Sequence, residues 1–274
     1  MLHDSVSEKL SALVSDSSPK RAVFASRGSS AIRIALRAVK KLGKRRVLIP
    51  DQGGWLTYEK DIINERLEPV TLKTRDGFFS PSDLKNYSFD AALLNSMPGY
   101  AVLLPMKDIA GFCRENNILL INDVSGSVGR EEAKFGDIAV GSFGRWKPLS
   151  ITSEKGASGG FLAFSQELDK ALFESGFEPS AGLLSSLEKA ISGLPGKISF
   201  WNSLRKKVVL ELQQEGFSPL FSDSEGINVV VPFSSTQERD ALVSFCEKRD
   251  LPFEFCPRRI RVLRDAVSIE LKRI

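Results

Sequence analysis

Asp123 stands directly after the apolar run Ile118 to Ile121, Ser142 lies near the end of the run 138–143, and Lys147 follows in the next loop. A carboxylate, a hydroxyl and a primary amine at strand ends can hold a protonated ring nitrogen, an anion and a carbonyl carbon. Gly28-Ser29-Ser30 opens a segment with a helical pattern, where free backbone N–H groups and hydroxyls make an anion cradle. Trp55, after Gly53-Gly54, offers an aromatic plate. The chain of 274 residues has one histidine, at position 3, which argues against a Ser-His-Asp triad or a His-based zinc centre. Covalent chemistry here must use lysine, carboxylates, hydroxyls or a cofactor.

The elements that would position these groups alternate. Residues 5–15 read as an amphipathic helix and 21–26 as an extended stretch, followed by a helix from Gly28 carrying Ile32, Ile34, Leu36 and Val39. A strand at 47–49, a helix at 56–66, a strand at 67–72 and a helix start at 80–83 come next. The alternation repeats with a strand at 89–94, a helix at 105–116, and strands at 118–121, 138–143 and 161–164. This pattern predicts an α/β fold with a mostly parallel sheet sandwiched by helices, whose ligands bind beyond the carboxyl ends of the strands. After residue 166 the pattern predicts helices at 166–176, 180–193 and 198–215. A strand at 227–231, a helix at 236–249 and apolar segments near 253, 260–263 and 267–271 follow. The expected organisation is a large domain over 1–195 and a smaller α+β domain over 196–274.

With 42% hydrophobic and 26% charged residues, the composition is that of an ordinary globular chain. Cys113, Cys246 and Cys256 lack metal-ligand spacing and read as buried thiols, so no metal is expected. No apolar run approaches a membrane span, and residues 1–20 are too polar for a signal peptide, which predicts a cytoplasmic protein without membrane contact. The net charge of +4 favours acidic small ligands. The basic run Lys40 to Arg46 sits at a predicted helix end without interleaved aromatics, so nucleic acid is not an expected partner.

One carboxylate, one lysine, one aromatic plate and one anion cradle are the parts needed to hold pyridoxal 5'-phosphate. A carboxylate keeps the pyridine nitrogen protonated, and a lysine forms the Schiff base and then shuttles a proton, with no histidine required.

The ordered set Gly28-Ser29-Ser30-Ala31, Val47 to Pro50, Ile121-Asn122-Asp123, Gly136-Asp137-Ile138-Ala139, Ser142-Phe143, Lys147 and Gly159-Gly160 resembles the fold-type I pyridoxal-phosphate aminotransferases. The closest likeness is to the DegT/StrS-like sugar aminotransferases, over residues 20–165. The resemblance implies Lys147 as the Schiff-base lysine and Asp123 as the partner of the pyridine nitrogen. It implies Ser142, Ser29, Ser30 and the amides after Gly28 as phosphate contacts, and Trp55 as the stacking residue, with Tyr58 and Gln52 as other contacts. It also implies a homodimer with shared active sites, a small-molecule amino donor and a keto acceptor such as a keto-sugar nucleotide. Arg261 and Arg264 are the candidates for binding a substrate carboxylate.

Two departures stand out. Gly126 occupies the place where the family commonly has glutamine, with Ser125 or Ser127 as candidate replacements, and the chain is shorter than typical members. Lys155 is the competing lysine. A lyase, desulfurase or aldolase on the same cofactor, or a cofactor-binding protein without turnover, are the other functions these motifs allow.

Overall fold

Ala91 to Leu94 and Leu119 to Ile121 are uninterrupted apolar runs, so strands built from them need cover on both faces. A computed structural model describes residues 2–16, 19–151 and 159–274, and shows that cover. Lys155 lies outside the described residues. The first half of the chain runs α1 (Leu2–Leu13), β1 (Lys20–Ala25), α2 (Gly28–Lys41), β2 (Arg46–Pro50), α3 (Tyr58–Asn64) and β3 (Glu68–Leu72). It continues with β4 (Ala91–Asn95), α4 (Met106–Glu115), β5 (Leu119–Asp123), β6 (Ile138–Ser142) and β7 (Gly160–Ser165).

These seven strands form one sheet in the order β1-β7-β6-β5-β4-β2-β3. β2 to β6 run parallel to one another, and β7 is antiparallel to both β1 and β6. One face packs on α2 through Ile32, Leu36 and Val39 and on α3 through Ile62; α2 turns its apolar residues inward and leaves Lys40 and Lys41 in its last turn. The opposite face is covered by α1 and α5 (Ala181–Gln214) near β6 and β7, and by α4 near β4 and β5. This is the architecture the sequence pattern predicts, an α/β fold with a mostly parallel sheet sandwiched by helices.

The helical region differs from expectation in two ways. Residues 166–176 hold only a 3-10 turn, Lys170–Phe173, whose Phe173 ring stacks on Phe164 at 4.0 Å between centroids. The apolar residues there plug the core edge and do not follow a helical stripe. The helices expected at 180–193 and 198–215 are one helix, α5, with Pro195 inside it. Proline in a helix interior removes one hydrogen bond. The buried positions Leu184, Leu187, Leu194, Trp201, Arg205, Val208 and Leu212 nevertheless stay in phase on both sides of it. That unbroken stripe, packed along its whole length, keeps the helix continuous.

Beyond α5 come β8 (Val229–Pro232), α6 (Thr236–Lys248), β9 (Phe253–Cys256) and β10 (Ala266–Ile269). The three strands form an antiparallel sheet in the order β8-β10-β9, covered by α6 and the end of α5. The small sheet is fastened to the large one by short polar links: Gly53 N–H to the Arg259 carbonyl at 2.8 Å, and Leu263 N–H to Gln52 Oε1 at 2.7 Å. Cys113, Cys246 and Cys256 are buried free thiols, and burial pushes Cys113 and Cys246 up to about 12. Among the described residues no helix is long and apolar enough to cross a membrane, and no cluster of three or more His, Cys, Asp or Glu side chains could hold a metal ion.

Candidate active site

β5 and β6 lie side by side and parallel, so their carboxyl ends deliver Asp123 and Ser142 to the same edge of the sheet. Asp123 is buried. Its Oδ2 accepts a 2.6 Å hydrogen bond from the Tyr58 hydroxyl, and its Oδ1 accepts from Ser125 N–H at 3.0 Å. Tyr58 begins α3, and the chain reaches it through Gly54, where a Cβ would sit 2.7 Å from the Tyr58 ring. Burial, reinforced by the Asp123 charge, raises the Tyr58 phenol well above its usual range, so it remains a donor.

The start of α2 meets the same edge. A Cβ on Gly28 would lie 2.6 Å from the Ser142 Cβ, and one on Gly160 would lie 2.6 Å from the Gly28 nitrogen. Side chains at either position would push apart the three backbone segments that converge there. Arg27 makes no side-chain cap on the first-turn amides of α2, and no acidic residue occupies that turn. The positive end of the helix therefore faces the site without an internal counter-charge. Ser142 Oγ accepts from Gly144 N–H at 3.2 Å, which fixes the hydroxyl beside the cradle.

Lys147 follows Trp146, whose φ of 62° is in the left-handed region, and its ammonium sits 5.7 Å from the centre of the Trp55 ring. The Trp146 ring in turn carries the guanidinium of Arg273 at 4.6 Å.

Gly28, Ser29, Trp55, Asp123, Ser142, Lys147 and Arg261 all line one cavity of about 510 Å³. Ser30 and Arg264 lie outside its lining. The Ser30 hydroxyl is engaged with Ser26 and Arg33, and Arg264 is paired with Asp76 at 3.1 Å. Gln52 is a strut between the two sheets. Of the two serines after Asp123, Ser125 lines the cavity, whereas Ser127 is buried against Ser96. Gly126 leaves room for the ring of Tyr100, which a Cβ at that position would meet at 2.9 Å.

Tyr100, Arg145, Arg258, Lys272 and Arg273 also line the cavity and were not singled out by the sequence. Arg261 and Lys272 are buried around Glu270. Arg261 donates to both Glu270 oxygens at 2.8 and 2.7 Å, and the Lys272 ammonium lies 3.3 Å from Glu270 and 3.6 Å from the Tyr100 ring centre. Burial would raise the Glu270 carboxyl, but the Arg261 hydrogen bonds and the adjacent cations outweigh it and hold the group at about 2. Burial, with the Arg261 charge, pulls Lys272 down to about 7 despite Glu270. Arg258 and Arg273 share Glu254. Arg27, Arg145 and Lys147 on the side of the large sheet add to these four cations, against Asp123 and Glu254 in the same lining, so cationic side chains outnumber carboxylates at the cavity.

No family model and no curated protein sequence matches the chain. Solved structures do share its fold. The crystal structure of 3-amino-5-hydroxybenzoic acid synthase is 15% identical over 99% of this chain and 85% of that one, with a TM-score of 0.73. A subgroup IV aspartate aminotransferase from Thermus thermophilus is 14% identical over 99% of this chain and 84% of that one, with a TM-score of 0.72. A cysteine desulfurase from Thermococcus onnurineus NA1 is 11% identical over 98% of this chain and 78% of that one, with a TM-score of 0.70.

Proposed function

We propose that the chain is a pyridoxal-phosphate-dependent aminotransferase. The observation that carries this reading is that Lys147, Asp123, Trp55 and the start of α2 face one cavity at the carboxyl edge of the sheet. The donor set suits the cofactor. The Asp123 carboxylate, already bound by Tyr58 and Ser125, has acceptor capacity left for a pyridinium N–H. Trp55 would cover one face of the ring, and Gly28, Ser29 and Ser142 would hold the phosphate. Bound there, the cofactor supplies an electron sink for the carbon bearing the amino group. Lys147 Nζ would be the amine that attaches it, and the same amine would move the proton at the amino donor's Cα.

The cationic wall from Arg258 to Arg273 supports an acidic substrate, with Arg261 and Lys272 nearest the buried Glu270. A keto acceptor carrying phosphate or carboxylate, the class to which keto-sugar nucleotides belong, suits that wall. Trp55, Leu56 and Trp146 at the cavity are 38%, 53% and 40% exposed, which favours a homodimer that covers them.

The test is to mix the purified protein with pyridoxal phosphate, record the visible spectrum, reduce with borohydride and map the labelled peptide. A label on Lys147 and spectral conversion by an amino donor such as glutamate are expected. A label on Lys155, or no visible band, overturns the assignment of Lys147. A band that no amino donor alters favours binding without transamination.

A further inference from the structure

The half-buried ammonium of Lys197 on α5 donates hydrogen bonds to the carbonyl oxygens of Lys147 at 3.0 Å and Pro148 at 3.3 Å. The Lys147 carbonyl receives a second bond from Ser150 N–H at 3.1 Å. Lys197 does not line the cavity, and its amine also lies 4.9 Å from the Trp201 ring centre on the same helix. Burial lowers its pKa. The two charge-assisted hydrogen bonds replace water lost by the partly buried ammonium and hold the two carbonyls to it. Both carbonyls belong to the one loop that presents Lys147.

We infer that Lys197 is a positioning residue for Lys147, tying the Lys147–Pro148 backbone to α5 so that the Lys147 amine stays over Trp55. It acts through the peptide and touches no ligand. The tether also joins the loop to the rest of the α5 face. One helical turn on, Trp201 packs with Met97, Tyr100 and Ile227, and the next turn brings Arg205, which donates to the Ala101 and Phe221 carbonyls. One face of α5 thus holds the lysine loop and the Tyr100 turn in a fixed relation. The inference rests on the reading of Lys147 as the amine that takes the cofactor.

Two readouts test it on the full chain. The first, without cofactor, is the rate of reductive methylation of Lys147, followed by peptide mass spectrometry. The second is the affinity for pyridoxal phosphate from the visible spectrum. Lys197→Met keeps the apolar stem and removes the donors, and it is expected to change Lys147 labelling severalfold. The same variant should weaken cofactor binding about tenfold or more, the range of a charge-assisted hydrogen bond. Lys197→Arg, which keeps a charged donor, should restore both. If Lys197→Met does not melt cooperatively, Lys197→Gln replaces it. Wild-type labelling and affinity in the Met or Gln variant overturn the inference. If the wild-type protein forms no adduct with pyridoxal phosphate while Lys147 labelling still responds to Lys197, the functional reading fails and the positioning role stands.

Discussion

The Tyr58 hydroxyl and the Asp123 carboxylate are joined by a 2.6 Å hydrogen bond inside the protein, 65 residues apart in sequence. With the Ser125 N–H bond to the other oxygen, the pair fixes the direction of the carboxylate at the sheet edge, and the raised pKa of Tyr58 keeps the proton on the phenol. Asp123 is thereby held as an acceptor facing the cavity.

Tyr58→Phe leaves the Asp123 oxygen without this donor. Hydrogen bonds to charged groups contribute about 1.5–3 kcal/mol, so a loss of that order in urea unfolding is expected. Weaker binding of pyridoxal phosphate in a visible titration should accompany it. Unchanged cofactor affinity would show that Tyr58 supports only the fold.

Lys272 sets a pH dependence of stability. Its folded pKa of about 7 lies below the ordinary 10.5, so between those values the unfolded chain binds a proton that the folded chain has released. Stability therefore rises with pH across that window, and the full cost of the buried ammonium is present below it. Lys272→Met should raise the urea midpoint at pH 7 and flatten the rise toward pH 10. The same variant should bind acidic substrates less tightly. A wild-type midpoint that falls steadily over this range would contradict the linkage.

Gly28→Ala places a methyl group 2.6 Å from the Ser142 Cβ. Overpacking of this kind costs about 1–3 kcal/mol, and here the strain falls on the anion cradle. Weaker retention of the phosphate-bearing cofactor than of pyridoxal, its phosphate-free analogue, is the expected signature, measured by paired titrations.

Pro195→Ala restores a backbone donor inside α5. Interior proline is disfavoured by about 3 kcal/mol relative to alanine, so stabilisation up to that order is expected by urea unfolding. Destabilisation would mean that the proline shapes the packing of α5 on α1.

The large-domain strands and the spacing from Ser142 to Lys147 were legible because short apolar runs and their polar ends are local signals. Asp123, Ser142 and Lys147 each lie within a few residues of such a run. Lys272 and Arg273 gave no such signal. In sequence they are two cations beside an apolar segment, and only the pairing of β10 with β8 and β9 places Glu270 among them and turns them to the cavity. Tyr100 was hidden for another reason. It follows Met97-Pro98-Gly99, but its place against Gly126 depends on two chain segments meeting. The continuity of α5 was legible in principle, since its buried stripe runs in phase through Pro195, but the proline was read as a break.

The antiparallel β7 of the large sheet has a consequence for the order in which the protein comes into being. β1 pairs only with β7, from Lys20 against Ser165 to Ala25 against Gly160, and Gly160 also packs against the Gly28 nitrogen. During synthesis the amino-terminal strand must wait for residues 160–165 to leave the ribosome before it can join the sheet. Until then the start of α2 is not seated beside Ser142, and a nascent chain already carrying Asp123 and Lys147 has no finished place for a phosphate.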